Sequence, residues 1–456
     1  MMMRGSLPQS ESPTRSRLSR RALSAAEDGM KKLMQVPFSL ATMERKWLSP
    51  LLASTMISIV LLLVATLSLG YRGHRPVIAV NTARDSNQPE NVQRITDEGP
   101  IAGLPRPPKF AYLISGTIGD GMQMQRLVQA LYHPHNYYLL HLDLEAPEAE
   151  RMDLARFVKK EAAFQEAGNV FVVGKANLVT YKGPTMIAAT LHGAAILLRK
   201  AKDWDWFINL SASDYPLVTQ DDLLHVFSYL PKDLNFIEHT SDIATWKEEQ
   251  RVKPIIIDPG LYQDKKTDIY WMTQRRAVPT KFRLFTGSAW VVLTRSFMDY
   301  CNSGWDNLPR TLLMYYANFV SSPEGYFHTV LCNSQEFRNT TVNHDLHFIA
   351  WDNPPKQHPL ALTLNFFENM TMSGAAFARK FEKEDPVLDK IDQELLKRGK
   401  NKFTPGGWCV GSDNDPCGVR GEYSLLRPGP GARRLEELVV RLLSPESFRS
   451  QQCVAI

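Results

Sequence analysis

Apolar and polar segments alternate beyond residue 108 in a way that predicts strands alternating with helices. Short apolar runs of strand length are each followed by apolar residues at helical spacing. In chain order the segments are FAYLIS, MQRLVQALYH, YYLLHLD, VFVVG, a helix from about 185 to 200, WFINLS and DLLHVFSYL. Strands in this order pair in parallel and carry helices on both faces. We therefore predict an α/β fold with a doubly wound sheet.

In such a sheet, ligands bind at the edge where the parallel strands end. The residues that follow the predicted strands are Ser115 to Gly121, Asp143 and the stretch from Ser211 to Pro216. The first turn, SGTIGDG, lacks the GxGxxG spacing of a dinucleotide fingerprint, so we reject that motif. The later half is more irregular, but it contains no convincing linker. We therefore expect a single domain from residue 108 to 456.

A different hydropathy pattern stands near the N-terminus. The segment from Leu48 to Gly70 carries no charge over 23 residues, which is ~34 Å of helix against a hydrocarbon core of about 30 Å. Nine Lys and Arg but only four acidic residues precede it, so the positive-inside rule keeps the N-terminus cytosolic. The alternative, a cleaved signal peptide, would have a shorter apolar region nearer the N-terminus. We predict a type II protein with a cytosolic tail (1–47), a transmembrane signal anchor (48–70), a luminal stem (71–107) and a catalytic domain (108–456).

Composition narrows the class of partner. The chain is 44% hydrophobic and 22% charged, which is typical of a globular protein, and its net charge is only +5. That charge is mild, and no nucleic-acid-binding motif accompanies it, so we expect no nucleic acid partner. Three Asn-x-Ser/Thr sequons follow the apolar span. We expect Asn339 and Asn369 to be glycosylated, and Asn209, in an apolar run, to be buried and unmodified.

Five cysteines allow at most two internal disulfides. Cys409 and Cys417 flank the short segment VGSDNDP, and we predict that they pair. We also predict a disulfide between Cys301 and Cys332. No CxxC or histidine cluster suggests zinc. The acids of the stretch DWD, Asp203 and Asp205, could hold a divalent ion against phosphates, but such acids more often end a helix–strand connection.

One carboxylate stands out in the stretch SSPEGYFHTVLCNS. Glu324 follows Pro323 and precedes an aromatic-apolar run with no opposite charge beside it. One interpretation is a helix start, with Ser322 as N-cap, Pro323 at the first position and Glu324 facing the helix dipole. A catalytic base is the other, and both can hold. A group-transfer enzyme needs one such base and positive charge for a leaving diphosphate.

The basic residues Lys356, Arg379 and Lys380 could supply that positive charge, or they could form a solvated surface. A glycoside hydrolase is a competing class. It would need the GxSxG elbow, which is absent, or a carboxylate pair, which the sequence leaves open.

From Phe110 onward the chain resembles the core-2/I-branching glycosyltransferase family, and most closely its plant β-glucuronosyltransferases of type II arabinogalactan. Matching stretches cover most of residues 108–395 in order, among them YLISGTIGDG, LYHPHNYYLLHLDLEA, DWDWFINLSASDYPL, LFTGSAWVVLTRSF, SSPEGYFHTVLCNS and FARKFE. The resemblance implies a GT-A-like sheet with a smaller acceptor-binding half. It also implies inverting transfer without a required metal cofactor.

The resemblance also assigns roles to particular residues. It makes Glu324 the general base, and it points to Lys380 and Lys356 beside the donor diphosphate. Ser115, Thr117 and Asp143 become donor-binding residues, with Tyr181 and Lys182 as further candidates in the same half. The acceptor-binding residues are Glu238, Lys247, Arg251 and Trp351. Asp214 either contacts a substrate or caps the turn before Pro216.

The resemblance implies transfer of glucuronic acid from UDP-glucuronate to the galactose 6-hydroxyl of arabinogalactan, as a β1,6 linkage. The expected partners are this donor, a galactan or arabinogalactan-protein glycan and the Golgi membrane. UDP-GlcNAc and UDP-xylose remain alternative donors. A non-catalytic glycan-binding membrane protein remains an alternative class.

Overall fold

The computed structural model describes residues 105–243, 247–263 and 267–453. The predicted cytosolic tail, transmembrane anchor and nearly all of the stem lie outside these residues, so their boundaries stay predictions. Within the described stretches, no helix is both long enough and apolar enough to cross a bilayer.

A seven-stranded sheet forms the centre of the fold. Its spatial order is β12-β6-β11-β4-β1-β2-β3. These strands are β1 (Phe110–Gly116), β2 (Tyr137–Leu142), β3 (Val170–Val172), β4 (Trp206–Ser211), β6 (Asn235–Phe236), β11 (Val292–Thr294) and β12 (Thr341–Val342). Strands β1 to β4 pair in parallel, as the sequence predicted, whereas β11 is antiparallel to both β4 and β6. The fold is therefore mixed α/β.

The strand β1 explains why the sheet is covered on both faces. Tyr112 and Ile114 belong to one apolar core and Ala111 and Leu113 to the other, and all four are at most 2% exposed. Successive side chains of a strand point to opposite faces, so a continuous apolar run requires cover on each side. Helices supply that cover, because helical residues Met124 and Leu127 belong to the first core and Ile187 and Leu191 to the second.

Twelve α-helices are described. They are α1 (Gly121–Leu131), α2 (Glu148–Lys160), α3 (Ala162–Ala167), α4 (Thr185–Lys200), α5 (Gln220–Ser228), α6 (Arg295–Ser303), α7 (Leu308–Tyr316), α8 (Tyr326–Asn333), α9 (Phe367–Met372), α10 (Pro386–Glu394), α11 (Pro430–Leu442) and α12 (Pro445–Ser450). The helix predicted from about 185 to 200 is α4. The helix α5 begins with a capping box, because Thr219 and Asp222 accept each other's backbone N–H.

Short strands dominate the later part of the chain. A three-stranded sheet of order β13-β14-β5 contains β5 (Asp214–Pro216), β13 (His347–Ile349) and β14 (Phe377–Arg379). Two strand pairs complete the set: β7 (His239–Thr240) with β10 (Thr286–Gly287), and β8 (Pro254–Ile257) with β9 (Tyr270–Arg275). Of these short strands, β10 contacts Glu324 through Thr286.

The two disulfides bear out one predicted pair and correct the other. Cys409 and Cys417 are bonded, as predicted. The prediction of Cys301 with Cys332 is wrong, because Cys332 pairs with Cys453 across 121 residues and Cys301 is a buried free thiol. The last helices return the C-terminus to α8, and no local spacing in the sequence signals such a long-range contact. The bond ties the C-terminal segment to the helix that follows Glu324.

Candidate active site

Glu324 stands on a turn of its own, ahead of the helix α8. Ser322–Glu324 form a 3₁₀ turn, and α8 starts only at Tyr326 with Gly325 as its N-cap. Ser322 is not an N-cap, because its hydroxyl donates to the Phe319 carbonyl at 3.3 Å. The predicted helix-start interpretation is therefore wrong in its capping detail. The chain turns between the proline and the aromatic run, which leaves the carboxylate at the surface of a buried helix.

The Glu324 carboxylate meets a predicted acceptor-binding residue. Arg251 Nη1 contacts Glu324 Oε2, and both side chains are more than one-third exposed. Arg251 lies in a π-helical turn, Glu248–Val252. The backbone of Glu324 is held separately, since the Thr286 hydroxyl donates to its carbonyl at 2.9 Å. The carboxylate is thus accessible while its turn is held in place.

The helix α8 gives that turn a rigid support. Seven of its eight residues, from Tyr326 to Cys332, are buried. Thr329 shares a 2.7 Å hydroxyl contact with Tyr316 of α7. Burial lowers the pKa of His328 to about 3, so this histidine is neutral inside the protein. The apolar run after Glu324 therefore forms core that fixes where the acid stands.

The predicted acceptor-binding residues Glu238 and Trp351 line one open cleft of about 480 Å³. Desolvation and, secondarily, Asp345 raise the pKa of Glu238, while Lys247 acts in the opposite direction. Lys247 is therefore close enough to influence the same carboxyl. Trp351 is 47% exposed and offers an apolar ring face of the kind that pyranose rings contact. We call this space the acceptor cleft.

The acceptor cleft and Glu324 are linked through one close backbone contact. A Cβ on Gly287 would lie 1.7 Å from the Glu238 carbonyl oxygen, so only glycine fits there. Its neighbour Thr286 holds the Glu324 carbonyl. The adjacent residues Gly287 and Thr286 of β10 thus contact the backbone carbonyls of Glu238 and Glu324, respectively.

The predicted donor-binding residues lie at the ends of the parallel strands. Ser115 is in register with Ser211 of β4, and Thr117 is exposed in the turn after β1. Asp143 is buried, and its carboxylate accepts from the backbone N–H of Glu145 and Val179 at 2.9 and 3.2 Å. These contacts orient Asp143 at the edge where ligands of α/β sheets bind.

Protein carboxylates already accept from several backbone N–H groups of the first turn. The backbone N–H groups of Gly119 and Gly121 donate to the Glu150 carboxylate at 3.0 and 2.8 Å. A protein carboxylate therefore takes the position that a dinucleotide motif gives to pyrophosphate. This agrees with the rejection of that motif from its spacing.

A second open cavity of about 730 Å³ lies beside the Glu324 turn, and we call it the donor cavity. Its described lining residues are Glu145, Thr180, Tyr181, Lys182, Thr267, Asp268, Ile269, Trp271 and Gln357. Ser321 N donates to the Lys182 carbonyl at 2.8 Å, which joins the wall of this cavity to the segment that carries Glu324. Glu324 itself lines neither space, but its turn is bonded to Lys182 of the donor cavity and to β10, which pairs with His239 of the acceptor cleft.

The three candidate cations for a diphosphate differ in their surroundings. Arg379 donates to the buried Asp214 carboxylate at 2.9 Å, so Asp214 binds protein rather than capping a turn alone. Lys380 is half-buried, and the next residue, Phe381, bonds to the Ser213 carbonyl just beyond β4. Lys356 is 76% exposed and 3.2 Å from Asp352, on the loop that brings Gln357 to the donor cavity. Both lysines stay predictions as diphosphate ligands.

The acids of the DWD stretch have structural partners. Asp203 contacts Lys109 and accepts from the Tyr137 hydroxyl at 2.8 Å. Asp205 accepts from the Lys109 backbone N–H at 2.9 Å and from the Lys232 ammonium at 2.7 Å. These residues precede β4, at the edge opposite Asp143. These contacts favour the interpretation that Asp203 and Asp205 stabilise the helix–strand connection over the interpretation that they bind a metal ion.

One further group of potential metal ligands converges in the described residues. His239, Cys332 and Cys453 bring their ligand atoms within 4.8 Å of one another. The two sulfur atoms are joined in a disulfide, and a disulfide does not supply the thiolate that binds zinc. The group therefore does not have the chemistry of a zinc site.

The predicted glycosylation sites are accessible. Asn339 and Asn369 are exposed. The Asn209 amide instead donates to Ala289 and accepts from Val291 at 3.0 and 2.9 Å, which ties it to the sheet. Modification of Asn339 and Asn369 remains a prediction.

Sequence reasoning missed three residues that build the site. Thr286 and Gly287 lie in FTGSAW, where a glycine inside a strand pattern signals a close backbone approach. Asp258, in IIIDPG, is fully buried and accepts from the backbone N–H and hydroxyl of Thr185 at 3.1 and 2.6 Å. An Asp-Pro-Gly turn was the available signal, but its contact with α4 is long-range.

A central α/β sheet with an accessible carboxylate on a turn bonded to elements that border two open spaces is suited to a group-transfer enzyme that binds two substrates. The family model described as Core-2/I-Branching enzyme matches residues 110–371. The chain therefore belongs to the core-2/I-branching enzyme family, and it is a glycosyltransferase. This confirms the resemblance in the sequence.

Three relatives show how far the similarity extends. Beta-glucuronosyltransferase GlcAT14A of Arabidopsis thaliana is 59% identical over 425 residues, covering 91% of this chain and 94% of its own length. GlcAT14B of the same plant is 56% identical over 434 residues, covering 93% and 100%. Human xylosyltransferase 1 is 27% identical over 266 residues, covering 58% of this chain and 26% of its own. The first two align with nearly the whole chain.

Solved structures add little to this. Mouse xyloside xylosyltransferase 1 aligns with 49% of this chain and 81% of its own, at 11% identity and a TM-score of 0.25. A score this low carries no argument.

Proposed function

We propose that the protein transfers glucuronic acid from UDP-glucuronate to the 6-hydroxyl of galactose in arabinogalactan chains, forming a β1,6 linkage. The relatives named beta-glucuronosyltransferases, at 56–59% identity over nearly the whole chain, support the donor. The observation that carries the proposal is the accessible Glu324 carboxylate, whose turn is tied to both open spaces. Ser321 N donates to the Lys182 carbonyl at the donor cavity, and the Glu324 carbonyl accepts from Thr286 of β10, the strand that pairs with His239 of the acceptor cleft. We assign the donor to the donor cavity and the galactose to the acceptor cleft, in the smaller half of a GT-A-like fold.

The proposed reaction needs one proton transfer and one displacement. Glu324 takes the proton of the galactose 6-hydroxyl while that oxygen attacks the anomeric carbon of the donor. The bond from the anomeric carbon to the diphosphate breaks, UDP leaves on the opposite face, and the α-linked donor becomes a β-linked product. Among the contacts of the described residues, Arg251 engages Glu324 Oε2, which leaves Oε1 for the hydroxyl.

The charge that grows on the departing UDP needs compensation. We assign this role to Lys380, with Lys356 as the second basic residue, because an ammonium beside a diphosphate does the work that a metal ion does in other transferases. We therefore propose activity without an added divalent metal. We also propose that the protein is a single-pass type II protein of the Golgi membrane with its catalytic domain in the lumen.

The test is a donor screen on the full chain solubilised from membranes. The protein is incubated with a β-galactan acceptor and UDP-glucuronate, UDP-GlcNAc or UDP-xylose, and product mass is measured with and without EDTA. A gain of one hexuronic acid residue from UDP-glucuronate alone is expected. A gain from UDP-xylose instead would favour the alternative that the similarity to xylosyltransferase 1 keeps open. Release of free sugar without nucleotide donor would indicate a hydrolase.

A further inference from the structure

A transferase that uses UDP-glucuronate has to tell it from UDP-xylose. The two donors share the nucleotide and the ring, and they differ only by the carboxylate on C5 of glucuronate. A carboxylate that leaves water needs a cation or several N–H donors, because an unpaired buried charge is costly. The selecting group should therefore be a cation that lines the space beside the reacting carbon.

The donor cavity has one wall that runs from the neighbourhood of Asp143, a predicted donor-binding residue, towards the segment that carries the proposed base. The wall comprises Thr180, Tyr181 and Lys182. The residue before it, Val179, donates its N–H to the Asp143 carboxylate at 3.2 Å. The wall ends at Lys182, whose carbonyl accepts from Ser321 N at 2.8 Å, three residues before Glu324. A nucleotide at Asp143 and a reacting carbon near Glu324 place the donor sugar along this wall.

Lys182 is the cation on that wall. Of the described residues that line the donor cavity, Lys182 alone is positively charged, whereas Glu145 and Asp268 are acidic. Its side chain is half-buried, and its ammonium lies 5.5 Å from the centroid of the Tyr181 ring. No carboxylate of the described chain pairs with this ammonium within 4.0 Å, so it is available to a ligand.

The backbone that carries Lys182 is tightly held. Lys182 has a φ of 64°, in the left-handed region, and Gly183 N closes the turn onto the Thr180 carbonyl at 3.0 Å. A Cβ on Gly183 would lie 2.0 Å from Asp258 Oδ2, so only glycine lets this buried acid approach. Asp258 in turn binds Thr185 at the start of α4. The turn that carries the ammonium is thus already fixed by contacts within the protein, so binding a ligand does not require ordering of this backbone.

We propose that Lys182 binds the C5 carboxylate of the donor sugar and so makes the enzyme select a uronic acid. This inference rests on the proposed function and names the residue that reads the donor. Glu145 and Asp268 of the same cavity strengthen the dependence on Lys182. Without the Lys182 charge, these two acids would repel the C5 carboxylate of the donor. A neutral sugar such as xylose makes no use of this cation and meets no such repulsion.

The test measures both donors on the full chain. The variants are Lys182→Met, which keeps the length of the side chain, and Lys182→Arg, which keeps the charge. Lys202→Met, at an exposed lysine before β4, is the matched control. The readouts are kcat/KM for UDP-glucuronate and the inhibition constant of UDP-xylose against it, which requires no turnover of UDP-xylose.

We expect Lys182→Met to lower kcat/KM for UDP-glucuronate about 10- to 100-fold, the usual effect of losing a hydrogen bond to a charged group. The inhibition constant of UDP-xylose should stay within about threefold of the wild-type value, and Lys182→Arg should recover most of the loss. An equal loss for both donors would overturn the inference and place Lys182 at the shared diphosphate. An unchanged kcat/KM would also overturn it. Failure of the proposed function is separate, because the wild-type protein itself would then yield no product from UDP-glucuronate.

Discussion

The two halves of the described domain hold their functional residues by different means. In the first half, β1, β2 and β4 are six to seven residues long and pair in continuous parallel registers. Around Glu324, β7 and β10 have two residues each, and a 3₁₀ turn carries the acid itself. Backbone ladders therefore position the proposed donor side, whereas a few individual contacts position the proposed base.

Because of this difference, we expect substitutions in the two halves to affect stability and activity differently. A ladder of many hydrogen bonds loses little geometry when one side chain changes. The Glu324 turn depends on individual contacts, among them the Thr286 hydroxyl, so one substitution at Thr286 can shift the proposed base itself. Geometry errors of about 1 Å are enough to cost large factors in rate. Substitutions in the two halves should therefore have different effects on the two properties.

The largest effect should come from the base. Glu324→Gln removes the proton acceptor and keeps the size of the side chain, so we expect kcat to fall about 10²- to 10⁴-fold. The exposed Glu336 provides a matched control, Glu336→Gln. Steady-state rates and thermal unfolding of both variants decide the matter. Transfer within a few-fold of wild type for Glu324→Gln would show that the base lies elsewhere.

The long disulfide should contribute most to the stability of the later half. Replacing Cys332 and Cys453 by Ala opens a 121-residue loop, and replacing Cys409 and Cys417 opens one of 8 residues. Loop-closure entropy predicts losses of about 5 and about 2.5 kcal/mol in the free energy of unfolding. Urea unfolding without reductant measures both. Equal losses would contradict the view that the C-terminal tie holds this half together.

Buried histidines make stability depend on pH in both halves. Burial lowers the pKa of His328 near the base to about 3 and that of His141 on β2 to about 4. Each folded-state pKa lies below the unfolded value of about 6.5, so below that pH the unfolded chain binds protons that the folded protein does not. Stability should therefore fall as the pH drops.

The fall is up to about 1.4 kcal/mol per pH unit for each histidine. It should end near pH 4 for His141 and continue towards pH 3 for His328. Urea unfolding of wild type, His328→Asn and His141→Asn at pH 7, 6 and 5 is the measurement. The gap between wild type and each variant should narrow as the pH falls. A gap that stays constant would refute the neutral buried state of that histidine.

The smallest change in stability should show the clearest contrast between the halves. The hydroxyls of Thr190 in α4 and Thr286 in β10 each donate to a backbone carbonyl, at 3.0 and 2.9 Å. Replacing either with Val should cost about 1 kcal/mol of stability. Only Thr286→Val should also lower kcat, by about 3- to 10-fold, because its acceptor is Glu324. Equal kcat for the two variants would contradict the view that single contacts in the later half position Glu324.

Local patterns in the sequence predicted the first half well. Apolar runs bounded by turns yielded β1, β2 and β4, and the helix expected near 185–200 is α4, Thr185–Lys200. The spacing of Cys409 and Cys417 was enough to predict their disulfide. In each case the signal and the structure lie within a few residues of each other. The resemblance of longer motifs then identified the family.

Predictions failed where the deciding contact was distant in the chain. The helix start at Ser322 failed for a local reason instead, because its hydroxyl bonds to Phe319 three residues back and the helix starts beyond Gly325. Cys332 was expected to pair with Cys301, but packing of the C-terminal segment brings Cys453 to it. A local sequence pattern reflects only the intrinsic propensities of its residues. These propensities amount to a small free energy per residue, so tertiary packing readily overrides them.

The sequence by itself determined the class of fold, the family and the chemical types available to the site, because periodicity and motifs are local properties of the chain. Only the tertiary structure decided which of those residues meet. It paired Arg251 with Glu324, bound Arg379 to Asp214 and left Lys182 as the described cation of the donor cavity. These contacts join residues far apart in the chain, and they form only when two apolar cores pack against the same sheet.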